Sequence, residues 1–420
     1  MNHTVIKNNS IATKATLGSL LVGIYLFSVP AFSYAIDLEL NFIPQWIGLI
    51  VVLYALIDFF RTGKPNIPFE IKLYSFFVLW LVFTYFLVGE SNHHDALFTS
   101  IKVAIITVAI TQLIKNDKDF YRVLFIYGLS IFAVAYQNYD TLSYLRIASS
   151  MSGINQFDGT LANSNTAAIY ATSIIWLYFL LLLRPRAKMF YMPFYISAIS
   201  IALFILYFTG SKKGMLGIIL FGLFAAWLIL RKYKYSLVRA FFAGLLGAGL
   251  IVLALYFVYT SPFFYRLESM VMLTDKGSTS DRIFLFNAAI KTWLDNGINF
   301  IFGIGHDNFR DFNTLRLYSH STISEVLVSS GIIGFFLYFS ALGVLLKKLY
   351  FLSKQHLYHH YFTSIFNCGI FITLILFFNA TAVLYSERDL WPLIGIVASF
   401  SMYLSSTKQT LLMSSTEKQP

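Results

Sequence analysis

The stretch IKLYSFFVLWLVFTYFLVG, residues 71–89, carries one charged side chain, Lys72, at its edge and is otherwise almost wholly apolar. As a helix it would be roughly 28 Å long, close to the ~30 Å hydrocarbon core of a bilayer, and no lipid-exposed backbone other than a helix or a closed barrel satisfies its own polar groups there. Stretches of the same kind recur on both sides of it. Breaking the chain at its charges leaves about twelve candidate spans, near 17–35, 43–60, 71–89, 97–114, 120–137, 164–183, 190–209, 214–230, 237–259, 323–346, 361–384 and 390–406. The expected fold is therefore an all-α, polytopic transmembrane helical bundle.

The composition agrees. Of 420 residues 57% are hydrophobic and only 12% charged, with a mean hydropathy of +0.68, too little polar surface to wrap a water-soluble globule. The net charge of +11 comes without a basic stripe interleaved with aromatics, so nucleic acid is not an expected partner, whereas anionic membrane lipid is. One cysteine, Cys368, permits no internal disulfide. The first apolar run ends in Ser33-Tyr34-Ala35 and so resembles a signal peptide, but a chain with so many later spans needs no cleaved leader.

Orientation follows from Lys and Arg, which stay on the cytoplasmic side in short loops. With the N-terminus inside, alternate loops carry Arg61/Lys64, Lys115/Lys118/Arg122, Arg184/Arg186/Lys188, Arg231/Lys232/Lys234 and Lys347/Lys348/Lys354, while the opposite ones carry Asp37/Glu39, Glu90/Asp95 and Glu387/Asp389. Both termini are then cytoplasmic. The expected organisation is spans 1–9 in residues 1–259, a large periplasmic loop at 260–322, spans 10–12 at 323–406 and a cytoplasmic tail at 407–420. Within the loop, Ser278-Thr279-Ser280-Asp281 supplies helix caps and Asn296-Gly297 a stop. Between them Ile283, Phe286, Ile290 and Leu294 recur at helical spacing, so an amphipathic helix near the membrane surface is expected.

Chemistry is sought where charge breaks these rules. Lys212 and Lys213 lie in a short outer turn, against the positive-inside pattern, and an outward-facing anion would explain them. Arg282 is placed in the first turn of the loop helix, where the dipole and free N–H groups already favour an anion; a salt bridge to Asp281 or a lipid-phosphate contact is the alternative. His320 stands just before the next span, where a neutral imidazole can take a proton from a hydroxyl or simply make a surface hydrogen bond. Thr322 with Glu325 fits a capping box. Lys102, a turn inside its span, either snorkels to headgroups or reaches a substrate phosphate. His93-His94 and His359-His360 are adjacent pairs that do not share a helix face, so no metal site and no cofactor is expected.

The order of Phe157-Asp158-Gly159-Thr160-Leu161-Ala162-Asn163-Ser164-Asn165, then Thr209-Gly210-Ser211-Lys212-Lys213-Gly214, then Ser280-Asp281-Arg282 with Gly303-Ile304-Gly305, then His320-Ser321-Thr322 through Glu325 to Gly331-Ile332-Ile333-Gly334, resembles the bacterial O-antigen polymerase and O-antigen ligase superfamily. The resemblance implies a metal-independent glycosyltransferase that uses undecaprenyl-diphosphate-linked oligosaccharide at the periplasmic face of the inner membrane. It further implies that Arg282 and the short outer turn hold the diphosphate and that His320 is the base. The family usually has Ser-Arg in that turn, where this chain has Ser211-Lys212-Lys213, and lysine lacks arginine's bidentate fork. The Asn163-Ser164-Asn165 and His320-Ser321-Thr322 segments resemble the polymerases, which would join repeat units into O-antigen or capsule with a chain-length regulator as a candidate partner. A ligase moving glycan to lipid A-core is the alternative within the class, and a flippase for lipid-linked glycan the alternative outside it. Transporters place ionisable residues near the membrane midplane, whereas Asp58 and Lys102 fall near span ends.

Overall fold

A computed structural model describes residues 16–32, 42–88, 94–137, 164–182, 191–209, 214, 217, 278–355, 361–380, 383–384 and 387–416. Among these the chain is helical, without strands. The helices are α1 (Leu17–Phe32), α2 (Ile43–Thr62), α3 (Phe69–Val88), α4 (His94–Leu113), α5 (Asp117–Gly128), α6 (Ser130–Gln137), α7 (Ser164–Leu182), α8 (Met192–Thr209), α9 (Ser278–Leu294), α10 (Gly297–Phe302), α11 (Phe309–Phe312), α12 (Thr322–Lys354), α13 (Phe362–Asn379) and α14 (Leu390–Thr416).

Six of the described segments are long and apolar enough to cross a membrane: α2, α3, α4, α5 with α6 as one run, α12 and α13. Four shorter apolar helices match further expected spans, in α1, α7, α8 and α14. The expected spans 214–230 and 237–259 lie outside the described residues apart from Gly214 and Gly217. Ile57, Phe60, Leu79 and Phe86 stand exposed along α2 and α3. Water would penalise such a surface; lipid matches it, and the chain is an integral membrane protein.

Local chemistry sets several of the boundaries. The Asn116 side chain accepts the Asp119 N–H at 3.0 Å and starts α5, while Gly63, at φ 65, closes α2 by donating to Phe59 O at 2.8 Å. Large rings then join helices distant in sequence. Tyr74 stacks on Trp391 at 3.5 Å between α3 and α14, Phe120 on Phe400 at 4.2 Å between α5 and α14, and Trp176 on Phe371 at 4.2 Å between α7 and α13.

The two ends of the bundle differ in kind. At one end Lys115 Nζ sits 2.6 Å from Asp58 Oδ1, Lys348 Nζ lies 3.2 Å from Glu70 Oε1, and Tyr361 donates to Asp117 Oδ2 at 3.3 Å. Loops assigned to one side by the charge pattern therefore do meet one another. The other end brings together the starts of α4 and α12, the end of α3 and the segment between α9 and α12, and this end contains the site.

Candidate functional site

Three short helices, α9 to α11, dock on the first half of α12. The buried face of α9 is Leu285 and Ala289, which pack with Ile304, Phe309 and Val328. This corrects the expected stripe: Ile283 and Leu294 are 57% and 56% exposed, so the periodic apolar residues face outward and a narrower pair makes the contact. Asn296 both follows the end of α9 and starts α10, its side chain accepting the Asn299 N–H at 2.8 Å. Arg282 is also displaced from its expected place. The helix is described from Ser278, so Arg282 is its fifth described residue, directly after the first turn.

The glycines of the segment serve a backbone interlock. Gly331, at φ 64, interrupts α12, and a Cβ there would stand 2.1 Å from Ile301 O. Opposite it Gly303, at φ 76, leaves no room for a Cβ, which would stand 2.5 Å from the Ser329 carbonyl carbon. Only glycine tolerates both the left-handed backbone and the close approach. The carbonyls freed by the break are satisfied from outside the helix: Ile304 N–H donates to Val328 O at 2.7 Å and the Trp80 indole to Ser330 O at 2.8 Å.

Against this frame lies a cleft of about 220 Å³ lined by Arg282, Ile283, Phe286, Ser319, His320, Ser321 and Ala380. Arg282 and His320, chosen separately in the sequence and 38 residues apart, thus share one concavity. Arg282 is exposed and His320 half-buried. His320 adopts φ 59, in the left-handed region that a β-carbon makes costly, and its ring lies 4.4 Å from that of Tyr318. Two apolar side chains of α9, Ile283 and Phe286, complete the wall beside the guanidinium.

Further charged and phenolic side chains, not chosen as site candidates in the sequence, lie near His320 through Tyr318 or at the end of the bundle beyond it. The Arg310 guanidinium stands 5.5 Å above the Tyr318 ring and its Nε is 2.9 Å from Asp307 Oδ1. The i,i+3 spacing of Asp307 and Arg310 was the available signal. Burial pushes the Tyr318 phenol above its usual range, against the opposing pull of Arg310 and Arg282, so it remains a protonated donor. Between α13 and α14, burial and the neighbouring Asp389 push the Glu387 carboxyl up to about 8, and Asp389 itself, raised by burial, accepts from Tyr127 OH at 2.9 Å. Nothing in the local sequence distinguishes these two carboxylates from ordinary loop residues.

Other expectations fare differently. The capping box is not formed: α12 begins after Ser321, Thr322 Oγ1 accepts Leu384 N–H at 3.0 Å, and the Glu325 carboxylate goes to Ser319. Lys102 is exposed on α4 and is not among the residues lining the cleft. Lys212 and Lys213 lie outside the described residues, as do residues 138–163 and the segment 260–277. Among the described residues no cluster of His, Cys, Asp or Glu is arranged to hold a metal ion.

Fold and cleft together define a helical integral membrane protein with a cationic, histidine-containing site at one end of its bundle. Residues 197–339 match the family model described as O-antigen ligase, which supports the O-antigen ligase and polymerase superfamily. Members of that family are glycosyl-transfer enzymes acting on lipid-linked glycans, and the match covers about a third of this chain. The matched segment contains Arg282, His320 and the Gly303–Gly331 interlock. No curated protein matches the chain.

Proposed function

We propose that the protein is a polymerase that joins undecaprenyl-diphosphate-linked oligosaccharide repeat units into a surface polysaccharide, O-antigen or capsule, at the periplasmic face of the inner membrane. The observation that carries this reading is the cleft shared by Arg282 and His320, with Ile283 and Phe286 on the same wall. A lipid-linked diphosphate needs a cation beside an apolar surface, and a glycosyl transfer needs a base within reach of the acceptor.

In this reading the acceptor hydroxyl oxygen attacks the anomeric carbon, the bond to the diphosphate breaks, and the leaving diphosphate takes the electron pair. The proton of the hydroxyl passes to the His320 imidazole. Direct attack inverts the anomeric centre. Arg282 counters the charge that develops on the leaving group, and Lys212, Lys213 and Lys102 are assigned to the same anion. The chemistry calls for no metal and no cofactor. Both termini are placed in the cytoplasm, and a chain-length regulator is assigned as partner.

The family description favours a second reading, a ligase that transfers finished glycan to lipid A-core. Purified protein given only the polyprenyl-diphosphate repeat unit decides between them. A ladder of lengthening products is expected, since one unit serves as donor and another as acceptor. Product that forms only after lipid A-core is added would establish the ligase instead.

A further inference from the structure

Glu325 is fully buried in the first half of α12, and both of its ends point at the neighbours of His320. Its backbone N–H donates to Ser321 O at 2.9 Å, and its Oε2 accepts from Ser319 N–H at 2.8 Å. Two serines tighten the same turn: Ser319 Oγ donates to Ser321 O at 3.0 Å and Ser324 Oγ donates to Ser319 Oγ at 2.9 Å. His320, between the two gripped residues, is the one at φ 59. A non-glycine residue persists in that conformation only where its surroundings over-determine it. The hydrogen bonds of Ser319 and Ser321 restrain the backbone on either side of it.

We propose that Glu325 is a positioning residue for His320, holding the Ser319-His320-Ser321 turn in the one backbone conformation that aims the imidazole into the cleft. This rests on the reading of His320 as the base. What matters is the hydrogen bond from Ser319 and the length of the side chain that accepts it, not the negative charge. Glutamine keeps an acceptor oxygen at the same reach. Aspartate keeps the charge but is one methylene too short to meet Ser319 N–H while its own N–H stays bonded to Ser321 O.

The test uses the full-length protein in detergent and a polyprenyl-diphosphate oligosaccharide purified from cells in which its gene is deleted. Glu325→Gln should transfer within about threefold of the native rate, whereas Glu325→Asp should lose about 10- to 100-fold in kcat with its KM for the donor within about twofold, as expected of a misaimed base. On a His320→Ala background Glu325→Asp should add no further loss, because it acts through a group no longer there. Glu325→Gln as slow as Glu325→Asp would show that the charge matters, and Glu325→Asp at the native rate would show that the grip is irrelevant; either overturns the inference. An equal rise in KM and fall in kcat, or additive losses in the double variant, would show a general structural role and overturn it as well. His320→Ala sets the two readings apart: if it is slow while Glu325→Asp is fast, only the Glu325 inference fails, and if it transfers at the native rate the base assignment falls with it.

Discussion

Arg282, chosen in the sequence for its place at a helix start, lines the cleft as the fifth described residue of α9. Its value rests on the guanidinium itself and on its place in one cleft with His320. Arginine offers a planar fork to two phosphate oxygens, and lysine offers a point charge. Arg282→Ala is therefore expected to abolish polymer, and Arg282→Lys to leave little of it. Gel analysis of surface polysaccharide at matched protein level checks this, and normal chain length in Arg282→Ala cells would move the anion site elsewhere. The apolar neighbours Ile283 and Phe286 are not expected to share that sensitivity to charge, since their contribution is surface against the lipid part of the donor.

The elements around the cleft are held by backbone fit more than by side-chain contact. The break in α12 at Gly331 and the turn at Gly303 lie against each other, and this interlock fixes α10, and through it α9, relative to the helix that follows His320. Adding one methyl at Gly331 would place a Cβ 2.1 Å from Ile301 O, so the two chains must separate. Backbone strain of this kind alone costs about 1–3 kcal/mol. Gly331→Ala is expected to lower thermal stability in detergent and to lose transfer, while Gly343→Ala, on the same helix with open space at its Cβ, should do neither. Differential scanning fluorimetry with a transfer assay distinguishes the two, and an unperturbed Gly331→Ala would remove the interlock from the account.

At the scale of the whole molecule, the pairing of Lys115 with Asp58 and of Lys348 with Glu70 gathers basic loops at the end of the bundle opposite the cleft. Positive charge is retained on the cytoplasmic side, so the cleft is expected on the other. Reporter fusions after Lys115, Arg186, Tyr233 and Lys354 should behave as cytoplasmic, and those after Asn92, Ser150 and Phe300 as external. A cytoplasmic signal at Phe300 would place the cleft on the wrong face for a lipid-linked donor that has already been flipped.

Membrane character and most of the helices were legible in the sequence, because span length and hydropathy are one-dimensional properties, while Arg282 and His320 were candidates there and the structure shows that both line one cleft. The face of α9 was not legible. Beside lipid both sides of a helix can be apolar, so the period of Ile283, Phe286, Ile290 and Leu294 could not say that Leu285 and Ala289 make the contact. Nor could spacing separate a capping box from a clamp: Thr322 and Glu325 fit the first pattern, yet Glu325 reaches Ser319 because His320 turns through a left-handed backbone between them. Sequence thus determined that the chain is a helical membrane protein, since that follows from the solvent each residue must meet. Only the tertiary structure decided that Arg282 and His320 line one cleft and that Gly303, Gly331 and Glu325 hold it, because those relations depend on close approach between segments with no common pattern in the chain.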